Sequence, residues 1–274
     1  MPEAAPAPVD AEPPDTDPPA RPAATVVVMR ASPRGPEVLL LKRARGLGFF
    51  PNAWVFPGGR VDPADAVVAT RGAVAGLASS DQAFAVAAIR ECFEETGVWL
   101  GQGSPAPGLR QALVQRQGNL GLDPDLVADL DALRLWSWWI TPRAEPRRYD
   151  TRFFLSCLPP GVDPQVEPDG HETIDAIWIR PAQAVARAEI PQFFMAPPTF
   201  RTLEELALHP SIPALWAAAG ARRIRAIEPR MRRDLPGTDG WAVLLPGDPE
   251  HPDPEPVEGP SRIVLRGGRW INEG

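Results

Sequence analysis

Arg90-Glu91-Cys92-Phe93-Glu94-Glu95-Thr96-Gly97 closes a segment, Asp81 to Thr96, in which Phe84, Ala87, Ala88 and Cys92 recur at helical spacing. Asp81 is a candidate N-terminal cap and Gly97 a C-terminal one. On this helix Glu91 lies three and four residues from Glu94 and Glu95, so the carboxylates share one face. Like charges at these spacings repel, and the C-terminal end of a helix dipole disfavours acids again. A bound divalent cation reverses both effects, and an all-oxygen donor set suits Mg²⁺ or Mn²⁺. The plainer alternative is a solvated acidic face with Arg90 as a surface ion-pair partner. Upstream, the short apolar run Trp54-Val55-Phe56 is stopped by Pro57-Gly58-Gly59. Paired glycines permit positive φ and a close backbone approach to a metal or ligand.

Outward from that centre the chain alternates strands and helices. Residues up to about Arg21 are Pro, Ala and acid, a composition that predicts a disordered tail over residues 1–22. Order is expected from Thr25-Val26-Val27-Val28-Met29, with a second strand at Val38 to Leu41. Further strands are expected at Leu135 to Ile140, Arg152 to Leu158 and Ile174 to Ile179, then at Trp241 to Leu245 and Arg262 to Arg266. Helices are expected over Ala182 to Ala188, Thr202 to Leu208 and Ala214 to Ala219, and the Arg222 to Arg233 cluster reads as a solvated helix face. Strand alternation places Trp136 and Trp138 on one face and Trp139 on the other. Strands interleaved with helices indicate an α/β class.

The chain has 274 residues, 44% hydrophobic and 23% charged, with a net charge of -7. That balance argues against a general nucleic-acid binder. No stretch approaches the ~20 apolar residues of a membrane span, and no secretory signal is visible, so a cytoplasmic protein is the expectation. Cys92 and Cys157 are too few for a disulfide scaffold and read as buried thiols. Lys42 is the only lysine; the abundant arginine suits coding bias and equally a phosphate-rich ligand. The three histidines are too scattered to suggest a zinc site.

From Gly59 to Val98 the chain resembles the signature box of the Nudix hydrolases. Its second half carries Arg90, Glu91, Cys92, Glu94, Glu95, Gly97 and Val98 at the family's fixed positions. Family spacing would put the arginine at position 73 rather than 90, so 17 extra residues intervene. Where the first glutamate of the box is expected stands Asp65, or Gln82 on counting back from Arg90. The resemblance implies an α/β/α sandwich with a mixed sheet over residues 23–210, an insertion at about 62–80, and a helical and β extension over 211–274 packed on it. It implies that Glu91, Glu94 and Glu95 bind Mg²⁺ or Mn²⁺, that Arg90 orients them, and that the Gly59 carbonyl joins the metal shell. The reaction implied is attack of water on one phosphorus of a diphosphate. Glu172, six residues before Trp178 in the loop Asp169-Gly170-His171-Glu172, is the first candidate base and His171 the second.

The interrupted box, with Leu41-Lys42-Arg43-Ala44-Arg45, Phe49-Phe50-Pro51, Trp139-Ile140-Thr141-Pro142 and Arg147-Arg148-Tyr149-Asp150-Thr151-Arg152, is similar to the peroxisomal coenzyme A diphosphatase branch. That similarity implies cleavage of coenzyme A or acyl-CoA to 3′,5′-ADP and (acyl-)4′-phosphopantetheine, by a monomer or homodimer with a small nucleoside diphosphate derivative as its partner. Arg43, Arg60 and Arg152 are the leading candidates for phosphate contacts, with Arg45, Arg147 and Arg148 behind them. Phe49, Phe50 and Trp139 are candidates to stack on adenine or to line an acyl channel. Two alternatives remain: hydrolysis of another nucleoside diphosphate derivative such as NADH or ADP-ribose, and a non-catalytic ligand sensor.

Overall fold

Because Thr25, Val26, Val27 and Val28 are β-branched, their segment forms a strand, and its valines are buried on both faces. The structure, a computed structural model, describes residues 18–46, 50–123, 125–235 and 237–273. The expected tail therefore lies outside the described residues up to 17, as does Phe49. Strand β1 (Arg21–Arg30) begins four residues ahead of Thr25, because Arg21 to Ala24 pair in parallel with Tyr149 to Arg152.

The main sheet runs in the order β10-β2-β1-β9-β8-β11: Thr173–Ile179, Glu37–Arg43, β1, Tyr149–Cys157, Leu133–Ile140 and Ala226–Ile227. Two short strands, β3 (Trp54–Val55) on β2 and β4 (Gly58–Arg60) on β1, complete it. The β1–β9 and β8–β11 pairs are parallel and the others antiparallel, giving the expected mixed sheet.

Alternation along β1 sends Ala24, Val26 and Val28 to one face, and Val27 and Met29 to the other. The first face meets helix α1 (Gln82–Thr96), which is buried on more than one side. A small sheet of β5 (Thr70–Arg71), β6 (Gly101–Gln102) and β7 (Val127–Asp129), together with α2 (Leu109–Val114), brings Val74, Leu113, Leu126 and Leu130 into the same core. The second face meets α3 (Pro181–Arg187), α4 (Pro197–Ala207) and α5 (Ile212–Ala221). It also meets a four-stranded sheet of β12 (Arg230–Arg233), β13 (Trp241–Leu244), β14 (Arg262–Arg266) and β15 (Arg269–Glu273). The layers are thus α/β/α with a C-terminal extension of helix and strand. Among the described residues no helix is long and apolar enough to cross a membrane.

Three local expectations are corrected. The Arg222 to Arg233 stretch is not a helix face; it runs as β11 and β12, whose backbone pairs with β8 and β13. Trp136 and Trp139, not Trp136 and Trp138, share a core face. The cause is a bulge: Leu135 pairs with Phe154 and Ser137 with Phe153, so one extra β8 residue shifts the alternation. Cys157 is only half-buried, while Cys92 is fully buried as a free thiol.

Candidate active site

The C-terminal half of α1 faces β4. Strand β4 pairs with the start of β1, Ala24 opposite Gly59 and Thr25 opposite Gly58, which places Pro57-Gly58-Gly59 against the helix. Neither glycine has positive φ; both are extended residues of a strand, so the expected φ > 0 turn is absent. Space is what excludes side chains here. A Cβ on Gly58 would lie 2.4 Å from the Ala24 carbonyl oxygen, and one on Gly59 2.4 Å from the Glu91 carboxyl carbon.

Arg90 organises the acids. Its Nε and Nη2 donate to the two oxygens of Asp65 at 2.8 and 3.0 Å, its Nη1 donates to Glu91 and Glu94 at 2.9 Å each, and Nη2 also reaches the Arg60 carbonyl. Burial works to lower the Arg90 pKa, but the Asp65 hydrogen bond and the surrounding carboxylates raise it, so the guanidinium stays charged. Asp65 is 2% exposed and closes the turn at Asp62 by accepting its N–H at 2.8 Å. Of the two residues considered for the first acidic position, Asp65 is therefore the one that meets Arg90. Gln82 instead accepts the Val74 N–H and donates to the Leu77 carbonyl.

Glu95 is 4% exposed and accepts the Gly58 N–H at 2.9 Å. Burial pushes its carboxyl well above the usual range, and the charges of Glu91 and Glu172 push the same way, against the Gly58 N–H and Arg43. Burial also raises Glu91 to about 7, with Arg90 pulling down and Glu94 and Glu172 pushing up. Glu94 is raised by burial against Arg90. One oxygen of each glutamate is engaged, by Arg90 or by Gly58; the other has no hydrogen-bond partner among the described residues. These side chains do not already converge as a ligand cage, and no group of three acid, His or Cys side chains among the described residues does. The donor chemistry nonetheless suits a divalent cation: three carboxylates with raised pKa stand beside one guanidinium, and positive charge is what their ionised forms lack.

Asp81 does not cap α1 with its side chain; it lies near Arg152 instead. The C-terminal end of the helix is closed by Gly97, at φ 76, whose N–H bonds to the Phe93 carbonyl. Arg110 adds a cation there, its Nε 3.1 Å from the carbonyls of both Phe93 and Glu94. This offsets part of the dipole penalty on the acids, and nothing near the acidic motif announces it.

Glu172 is exposed, and its loop is held by Asp169, whose Oδ1 accepts the N–H groups of His171, Glu172 and Thr173. The Glu172 carbonyl accepts the Ala44 N–H at 2.9 Å, tying the loop to the end of β2. Its charge acts on Glu91 and Glu95, and His171 is exposed. Arg43 ends β2 on the same side, with its buried Nε lacking a partner among the described residues. Arg60 is exposed at the end of β4, and Arg45 and Arg147 are exposed as well.

Arg152 does not join this group. It is 5% exposed, its guanidinium lies 3.7 Å from the Trp138 ring and 4.5 Å from the Phe84 ring, and it is paired with Asp150. Its planar fork is consumed by packing at the start of α1, which removes it as a phosphate contact. Arg148 is likewise buried and bonded to the Thr141 carbonyl and Glu228. Trp139 belongs to the core on the opposite side of the sheet, so it neither stacks on a ligand beside the glutamates nor lines a channel there.

Comparison with known proteins bears on this arrangement. Residues 68–206 match the family model of the NUDT19 Nudix domain, and residues 19–111 match that of the NUDIX domain. The chain is 30% identical to the acyl-coenzyme A diphosphatase NUDT19 of Gallus gallus over 306 residues, covering 88% of this chain and 80% of that protein. It is 30% identical to the Homo sapiens protein of the same name, covering 88% and 76%. A crystal structure of a NUDIX hydrolase from Alicyclobacillus acidocaldarius aligns with a TM-score of 0.63 at 30% identity, over 72% of this chain and 96% of that one.

Proposed function

The chain belongs to the Nudix hydrolases, in their coenzyme A diphosphatase branch, and on that premise we propose that it hydrolyses coenzyme A or an acyl-CoA to 3′,5′-ADP and (acyl-)4′-phosphopantetheine. The observation that carries the chemistry is the trio Glu91, Glu94 and Glu95, with pKa values raised by burial, held by Arg90 and Gly58 against Gly59. The substrate rests on the relatives' activity. Enzymes of this family generally require divalent metal ions. In this chain we assign the ion to Glu91, Glu94 and Glu95 with the Gly59 carbonyl, and Mg²⁺ or Mn²⁺ as the ion.

When bound, the ion supplies an acidified water and neutralises charge on the phosphate oxygens. The protein's own groups then divide the work. Arg90, anchored by Asp65, fixes Glu91 and Glu94 relative to one another. Glu172, on a loop tied to Ala44 and within electrostatic reach of Glu91 and Glu95, accepts the proton of the attacking water. The water oxygen bonds to one phosphorus as the bridging P–O bond breaks. Arg43 and the exposed Arg60 are assigned to the substrate's phosphates. Residues 23–210 form the catalytic domain in this reading, and residues 211–274 brace it.

Purified protein with Mg²⁺ is to be incubated with coenzyme A, acetyl-CoA, NADH, ADP-ribose and nucleoside triphosphates. Release of 3′,5′-ADP from the first two supports the proposal; products only from the other compounds overturn it.

A further inference from the structure

Two segments far apart in sequence meet at the C-terminal end of α1: the short helix α2, and the loop 167–172 that carries Glu172. Leu113, 3% exposed, seats α2 in the core it shares with α1. Arg110 of α2 then lies across the Gly97 cap, where a Cβ on Gly97 would stand 3.4 Å from its Nη1. Its Nε donates at 3.1 Å to the carbonyls of Phe93 and Glu94, and its Nη2 donates to the Glu167 carbonyl. The last carbonyls of a helix have no partner within it. Arg110 supplies one, from outside the helix, to the backbone of Glu94.

The loop is short and held at both ends. At one end the Glu167 N–H donates to the Thr96 carbonyl at 3.1 Å, beside the Arg110 contact. At the other the Glu172 carbonyl accepts the Ala44 N–H at 2.9 Å. Between them Pro168 restricts the backbone, and Asp169 Oδ1 clasps the N–H groups of His171, Glu172 and Thr173. A displacement of Glu167 therefore meets few soft torsions before it reaches Glu172. The Glu167 side chain adds only an exposed pair with Arg110 at 3.6 Å, which contributes little. What matters is the backbone span: the planar guanidinium bonds the helix end with one nitrogen and the loop with another, and fixes their separation together with the Thr96 bond.

We propose that Arg110 is a positioning residue for the hydrolysis, holding the loop so that Glu172 stands at the right distance from Glu91, Glu94 and Glu95 to take the proton of the attacking water. The proposal rests on Glu172 being the base. A general base must lie within hydrogen-bond reach of its proton, and a misplacement of about 1 Å can cost roughly 10²-fold in rate. Without Arg110 the glutamates keep their place, because α1 is buried in the core and Arg90 and Gly58 still hold their side chains. The loop is what is released. The loss therefore falls on kcat rather than on KM.

The test is a double-mutant cycle between Arg110 and Glu172, by steady-state kinetics with Mg²⁺ on whichever diphosphate the wild-type protein cleaves fastest. Arg110→Ala is expected to lower kcat by roughly 10- to 10²-fold while KM stays within about threefold. Glu172→Gln alone is expected to lower kcat by about 10²- to 10⁴-fold. In that background Arg110→Ala should cost less than about threefold, since the base it places is already gone. A role confined to capping α1 would give the same loss in both backgrounds. Arg110→Lys keeps a cation at the helix end but has no fork to span helix and loop. It should melt like the wild type and still lose most of the turnover, and it carries the same cycle if Arg110→Ala does not fold. Equal losses in the two backgrounds, or wild-type turnover in Arg110→Ala or Arg110→Lys, overturn the proposal alone. Wild-type turnover in Glu172→Gln overturns the base assignment and the proposal with it.

Discussion

Gly58 and Gly59 are neighbours whose hydrogens face different obstacles, so alanine fails differently at each. At Gly59 the new methyl meets the Glu91 carboxylate, the end of a side chain that can swing aside. Gly59→Ala should therefore lower kcat by roughly 10²-fold, the scale of displacing one electrostatic contact, with little change in Tm. At Gly58 the methyl meets the Ala24 carbonyl, and backbone cannot yield without parting β1 from β4. Gly58→Ala should cost about 1–3 kcal/mol of stability, seen in urea denaturation. Glu94→Gln keeps an acceptor for Arg90 Nη1 but loses the charge. Metal-dependent turnover should fall by roughly 10²–10³-fold with unchanged circular dichroism; retained turnover would remove Glu94 from the metal set.

At the scale of elements, the connection from β13 to β14 is closed on a buried aspartate. Asp248, 3% exposed, takes Arg262 Nε and Nη2 at 2.7 and 2.8 Å and also accepts the Glu250 N–H. The Arg262 hydrogen bonds hold the Asp248 carboxyl below its usual value, against burial. A depressed folded pKa gives stability that is present above the unfolded pKa, about 3.9, and is lost as pH falls through the folded one. Asp248→Asn should thus be less stable than wild type by about 1–3 kcal/mol at pH 7. That gap should shrink steadily below about pH 4 in thermal melts; a gap independent of pH would mean the charge contributes nothing. The β8 bulge is the other element-scale device. A single extra residue reassigns Trp136 to the core and leaves Trp138 to stack on Arg152 beneath α1.

At the scale of the whole molecule, the C-terminal extension shares the core of the sheet's second face. Val243, Leu245, Val257 and Ile263 pack in one cluster with Trp136, Phe200 and Leu215. Burial of each such side chain is worth roughly 1.5–3 kcal/mol, so the four together rival a typical net stability of about 5–15 kcal/mol. A chain ending at Ala221 should therefore be largely unfolded or aggregated by size-exclusion and melting measurements; a stable, monodisperse product would show the extension to be dispensable. Residue order alone was enough for the main strands, for α1 with its Gly97 cap, and for three acids on one helical face, because periodicity and capping act over a few neighbouring residues. It also carried the likeness of the Arg90 to Val98 motif, which is contiguous. Tertiary structure alone decided that Asp65, 25 residues away, is the acid that meets Arg90. It withdrew Arg152 and Trp139 from the candidate site and brought Arg110 between the end of α1 and the Glu167 carbonyl. Those outcomes depend on strand register and loop closure, where a shift of one residue reverses the face a side chain occupies, and no local spacing encodes that.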